Sequence, residues 1–279
     1  DLEIPETCSF FHPNFCFAKT SLNPDVICNI TRHFWAKFIN SNSESIYMLI
    51  DELPWTEVEK LFKKGVAIIP IGSTEQHGPH LPLGVDTFYA HEYAKRVGEK
   101  LKIAVCPAVP YSVSGYNFPY PTITIEPETL INYLKDICRS LKFFGVKKVF
   151  FFVGHGGENV PVVDTAEYII ARDLEIQLKS IYPWTFLPKE EYESMNEDWH
   201  AGRTETAEML YLKENLVKKS KIKKSNVPKP MEFSQSYRLQ KRDKRNGVLG
   251  DPSKATKELG KKNFEFAVGE IVKKLKTLI

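Results

Sequence analysis

The chain has 279 residues, of which 42% are hydrophobic and 26% charged, with a formal net charge of +3. That length can bury a core without staples, and so even a charge balance argues against a nucleic-acid or membrane-surface partner. No apolar run reaches the ~18 residues of a membrane span, and the five cysteines form no CxxC pair, so reduced thiols in a cytoplasmic protein are expected rather than a zinc ribbon.

Residues 1–47 carry scattered Pro, Asn and Ser with no sustained period, and lack the basic, apolar and cleavage regions of a signal peptide. They read as an extension outside the catalytic fold, which would occupy residues 48–279. "VAIIPIGS", from Val66, is a short apolar run closed by Gly and Ser, as in a buried parallel strand. Thr87 to Lys100 has helical spacing, and "IAVCPAVP", from Ile103, reads as a second strand. Pro127 to Phe144 reads as a helix with Pro in its first turn. "KKVFFFVGH" is a third strand ending at His155, Pro161 to Leu178 a helix, and "LKSIYPW" a fourth strand. Thr204 to Leu216 and Lys257 to Ile279 read as further helices. Alternating strands and helices imply an α/β fold of three α/β/α layers with a mainly parallel central sheet. Leu216 to Arg245 is rich in Lys and Arg but poor in aromatics, which suits a solvated loop better than a nucleic-acid surface.

Three short segments hold four of the seven histidines. "GSTEQHGPHLPLGVD" follows the first strand. Glu75 and His77 lie two apart, so in extended chain their side chains share a face, and the Gly- and Pro-rich turn after them can return Asp86 to the pair just ahead of a helix. Carboxylate oxygen with imidazole nitrogen is a donor set for zinc, manganese or iron. "FFVGHGGEN" delivers His155 at the end of the third strand, and sites in open parallel sheets form beyond the carboxyl ends of strands. "EDWHAGRTETAEML" places Glu205 in a first helical turn, favourable for a carboxylate, with Thr204 available as a cap and His200 just outside. A lone histidine after a strand is more often a hydrogen-bonded core residue. The conjunction of the three segments carries the argument.

At these residues the sequence resembles the creatininase family of metal-dependent amidohydrolases. "IPIGSTEQHGPHLPLGVD", "VGHGGEN", "DWHAGRTET" and "NGVLGDPSKAT" match the family's motifs between Met48 and the C-terminus. The resemblance implies two divalent metal ions per chain, zinc, manganese or iron, at the C-terminal edge of the sheet. Asp86 would bridge them, Glu75 and His155 would complete one site, and His77 would belong to the other. Where creatininase has a glutamate two residues after its histidine this chain has Gly157, so the last ligand is Glu205 or Glu158, with Glu205 preferred. An aromatic residue is replaced by Gly156 and a tryptophan by Asn196, with Trp199 nearby. These departures argue against creatinine itself as substrate.

The implied chemistry is hydrolysis of a C–N amide or cyclic amidine bond of a small molecule by metal-activated water. His200 would shuttle a proton to the leaving nitrogen. Backbone amides near Gly156 and Gly157 would hold the oxyanion, and Gln76 and His80 would orient the ligands. The alternatives are a deformylase or modified-peptide peptidase of the same family, or a metal-binding protein without catalysis. The resemblance also implies a homo-oligomer, up to a hexamer.

Overall fold

The computed structural model describes residues 48–195, 198–225 and 246–279. The N-terminal extension expected at residues 1–47, Cys8, Cys16 and Cys28, and most of the basic stretch after Ser225 lie outside the described residues.

Four parallel strands form the sheet, in the order β2-β1-β3-β4. They are β1 (Val66–Ile71), β2 (Ala104–Val105), β3 (Lys148–Val153) and β4 (Gln177–Ile181). In register, Ala67 pairs with Ala104 and Val149, and Phe151 with Ser180. The central strands are apolar along their length because helices cover both faces. Phe150, Phe151 and Phe152 are all fully buried, each contributing about 2 kcal/mol of transfer free energy. Seven α-helices accompany the strands among the described residues: α1 (Trp55–Phe62), α2 (Val85–Leu101), α3 (Pro127–Phe143), α4 (Asn159–Leu174), α5 (Lys189–Ser194), α6 (Arg203–Leu212) and α7 (Lys257–Lys276). One layer packs α3 on α4, and the other packs α2, α6 and α7 on one another. None of the helices described is long and apolar enough to cross a membrane. Cys106 and Cys138 are buried free thiols, as their apolar settings in the sequence suggest.

The sequence reading needs several local corrections, beginning with the third strand, which ends at Val153 before Gly154, and the fourth, which ends at Ile181 because Pro183 starts a 3-10 turn. The second strand is only two residues long, because Pro107 and Pro110 interrupt "IAVCPAVP". The chain bulges there and returns at Val109, whose N–H donates to the Pro70 carbonyl at 2.9 Å. Pro70 sits in this central strand beside the bulge, on the side where the β2 partner leaves the ladder after Cys106. The fourth helix ends at Leu174 rather than Leu178, because Glu175 takes a left-handed conformation (φ 51°) and frees the chain to pair as β4. The last two helices end at Leu212 and Lys276, short of Leu216 and Ile279. Finally, α2 begins at Val85, so Asp86 lies within its first turn and not ahead of it.

That shift matters for position. A Cβ on Gly72 would fall 2.3 Å from the Thr87 Cα, and one on Gly154 would fall 2.2 Å from the Asp86 carbonyl oxygen. These glycines end β1 and β3. Together they make a slot into which the first turn of α2 presses, carrying Asp86 to the edge of the sheet.

Candidate metal centre

Glu75, His77, Asp86, His155 and Glu205 converge at this edge. Asp86, 2% exposed, directs Oδ2 to His155 Nδ1 at 2.9 Å and Oδ1 to His77 Nε2 at 3.1 Å. Ser73 Oγ donates to Oδ2 at 2.7 Å and fixes the carboxylate rotamer. Glu75 Oε2 lies 3.2 Å from His155 Nε2 and accepts a short hydrogen bond from Ser114. Glu205 Oε2 lies 3.7 Å from His77 Nε2 and accepts from the Ala201 N–H at 2.5 Å. Three donor groups result, Glu75–Asp86–His155, His77–Asp86–Glu205 and Glu75–His77–His200, and Asp86 is common to the first two.

The arrangement fits metal ions. Glu75 Oε1 and His77 Nε2 are buried with no hydrogen-bond partner. His77 Nε2 is close to the Asp86 carboxylate but misaligned for a bond to it. Buried polar atoms are rarely left unsatisfied, and atoms that converge without bonding one another suit a shared third body. The outer contacts fit as well. His155 Nε2 meets the Val113 carbonyl at 3.0 Å and His77 Nδ1 the Glu75 carbonyl at 3.2 Å, the carbonyl contact by which ligating imidazoles are oriented.

Electrostatics reflect the packed carboxylates. Burial opposes a charge on His77, but Asp86 and Glu205 outweigh it and push its pKa up to about 10. His155, equally buried, is raised to about 9 by Glu75 and Asp86. Burial raises Glu75 above the usual carboxylate range and Glu205 to about 7. Asp86 goes the other way: burial is overcome by the two imidazoles, which hold it well below the ordinary range.

His200 lies just outside α6 and inside the site: it is 5% exposed and packs on His77 with ring centroids 4.3 Å apart. Burial, then the neighbouring His77 charge, lowers its pKa to about 3, which keeps it neutral. Its Nε2 lies 2.7 Å from the Gln76 main-chain carbonyl and 2.9 Å from the Gln76 side-chain nitrogen. The two hydrogens of that amide have acceptors in Asn117 and Gly247, so His200 Nε2 carries the proton and Nδ1 presents a lone pair 3.6 Å from Glu75 Oε1. Gln76 is held in turn. Its amide donates to Asn117 Oδ1 and the Gly247 carbonyl, and accepts from the Gly78 N–H.

The remaining expected residues take other places. His80 Nε2 contacts Thr206 Oγ1 at 2.8 Å, tying the first loop to α6 beside Glu205. Glu158 is turned away from the donor groups, and its Oε1 accepts from the Tyr116 N–H at 3.1 Å. Gly156 has open space where a Cβ would stand, whereas a Cβ on Gly157 would lie 3.1 Å from the Tyr116 ring. Trp199 is 57% exposed, and its backbone N–H donates to the Leu249 carbonyl. The expected cap Thr204 lies inside α6; Asp198 instead accepts from the Arg203 and Thr204 N–H groups at 2.6 and 2.8 Å.

One contributor was not anticipated. The segment Ser112–Asn117 supplies the Val113 carbonyl to His155, Ser114 to Glu75 and Asn117 to Gln76, while the Tyr116 ring lies parallel to His155. The polar cluster "SVSGYN" just past a strand end was its only signal. Below Glu205 on the same helix, Glu208 is 1% exposed: Oε1 accepts from the Tyr93 hydroxyl at 3.1 Å and Oε2 has no partner. Burial pushes its pKa up to about 8.

A family model for creatinine amidohydrolase matches residues 51–275. The chain belongs to the creatininase family. Membership makes it a hydrolase acting on C–N bonds. Among creatininase-family relatives, it is 33% identical to a mycofactocin precursor peptide peptidase of Mycobacterium tuberculosis over 221 residues, covering 75% of this chain and 83% of that one. It is 28% identical to a creatinine amidohydrolase of Pseudomonas putida, covering 63% of this chain and 75% of the relative. A crystal structure of creatinine amidohydrolase shares the fold, with a TM-score of 0.74 at 23% identity, over 83% of this chain and 97% of that one.

Proposed function

We propose that this creatininase-family hydrolase cleaves a C–N amide bond of its substrate at a centre of two divalent ions, zinc, manganese or iron. Glu75, Asp86 and His155 would hold one ion, and His77, Asp86 and Glu205 the other. The observation that carries this reading is the sharing of Asp86 between two donor groups that also hold buried, unbonded donor atoms. When bound, such ions bring the pKa of a water down towards neutrality and polarise the scissile carbonyl.

The chain's own residues do the rest. Neutral His200, with Nε2–H fixed on the Gln76 carbonyl, offers Nδ1 to take the proton of the attacking water and pass it to the leaving nitrogen. Gln76, pinned by Asn117 and Gly247, keeps that tautomer in place. The open space over Gly156 leaves its backbone accessible to a developing oxyanion. We place this chemistry in residues 48–279 of a cytoplasmic homo-oligomer.

A modified peptide is a second reading of the substrate. It is favoured by the greater identity and coverage of the peptidase relative over the creatinine amidohydrolase. The test is turnover of creatinine, small cyclic amides and a panel of short peptides, followed by mass spectrometry, before and after chelation. Activity should vanish on chelation and return with added zinc or manganese. Chelated protein that turns over at the original rate would refute the metal-dependent scheme.

A further inference from the structure

A cavity of about 240 Å³ opens beside the metal centre, lined among others by His80, Lys221, Lys223, Lys224, Ser225 and Asn246. Three of its lining residues are lysines and none is acidic. The three exposed lysines make no ion pair among the described residues, unlike Lys219 and Lys257, which both reach Glu214. The nearest acidic side chain among the described residues that touches the wall is Asp251, which accepts from the Ser225 N–H and forms its ion pair with Lys254 rather than with these three.

The cavity shares a wall with the catalytic apparatus. Pro79 and His80 on one side follow His77 directly along the loop. Asn246 and Val248 on another flank Gly247, whose carbonyl accepts from the Gln76 side chain, itself 2.9 Å from His200 Nε2. The lysine segment is pinned there by the Lys218 N–H, which donates to the His80 carbonyl at 2.8 Å.

We propose that this cavity is an anion subsite: it receives a carboxylate or phosphate group borne by the amide substrate and so selects acidic substrates. Lysine ammonium groups act on such anions as point charges, and Ser225 and Asn246 add neutral polar groups to the same walls. The role in substrate selection rests on the hydrolase reading above; the anion binding does not.

Titration calorimetry with glutarate and with inorganic phosphate tests this on the metal-loaded full chain. Compared with it are Lys221→Ala/Lys223→Ala/Lys224→Ala, a control Lys273→Ala/Lys274→Ala/Lys276→Ala on the exposed face of α7, and Asp86→Ala. Tighter binding of glutarate identifies a carboxylate group, and tighter binding of phosphate a phosphate group. The cavity triple should weaken binding at least tenfold, while the control triple and Asp86→Ala stay within twofold of the parent. Three results overturn the proposal: a cavity triple that binds like the parent, a control triple that weakens binding equally, or loss of binding in Asp86→Ala alone. The third would place the anion at the donor cluster. If the protein holds no metal but still binds the anion through these lysines, the subsite stands and the hydrolase reading falls.

Discussion

Asp86 is asked to do more than any other residue. It sits at a helix N-terminus, where a negative charge is favoured, and its oxygens face different imidazoles. Asp86→Asn keeps the shape and an acceptor for Ser73 but removes the charge on which both donor groups depend. Elemental analysis should then find neither ion retained, and turnover should fall by more than ~100-fold, the upper range for disturbing outer contacts alone. Two ions per chain in this variant would end the bridging assignment. Glu75, His77, Asp86 and His155 stood out in the sequence as carboxylates and histidines beside glycine near strand ends, whereas their division into ligand sets, and Glu205 as the last of them, came only from the family resemblance. The state of His200 was not legible there. Its neutrality comes from burial and from His77, a neighbour 123 positions away, and no local pattern reports such a contact.

At the scale of elements, the centre depends on how α2 meets the sheet. Gly154→Ala would drive a methyl group into the Asp86 backbone, and overpacking of this kind costs about 1–3 kcal/mol. The variant should lose that much in chemical denaturation and also bind metal more weakly, since α2 must back out of its slot. Gly156→Ala, two residues on and facing open space, should match the parent in both measurements. If Gly154→Ala is as stable and as metal-replete as Gly156→Ala, the slot has no role. The sequence showed glycine at both strand ends but not its purpose, because the clash is with a helix that starts two residues earlier than its apolar spacing suggested. The long strands and the helices of the two layers were readable from apolar runs and 3.6-residue spacing. The short β2 was obscured because prolines within an apolar stretch leave its hydrophobic signal intact while removing its hydrogen bonds.

The whole molecule carries a titration that the site does not need. Glu208 has its folded pKa raised to about 8 by burial, against an ordinary value of 4.5. A carboxyl whose folded pKa lies above its unfolded one contributes its stability fully below the unfolded value and loses it as pH rises through the folded value. Glu208 should therefore lower stability by about 1.4 kcal/mol per pH unit between roughly pH 4.5 and 8, and add no slope above that. Glu208→Gln should remove that slope. The difference between parent and variant in urea midpoints across this range measures it; a difference that does not change with pH would show Glu208 to be ionised throughout. The overall α/β architecture and the edge of the sheet that bears the site were both visible before any coordinates, because strand–helix alternation dictates them.

The brace formed by Val113, Ser114 and Asn117 has a bearing on attempts to redesign this enzyme. It contributes none of the candidate metal donors, so a mutagenesis library built around those donors would treat it as free to vary. Yet it steadies His155, Glu75 and Gln76 from one short stretch of chain. Randomising it should yield mostly inactive clones, and a search for new substrate preference would do better to begin at the lysine-lined cavity and hold this stretch constant.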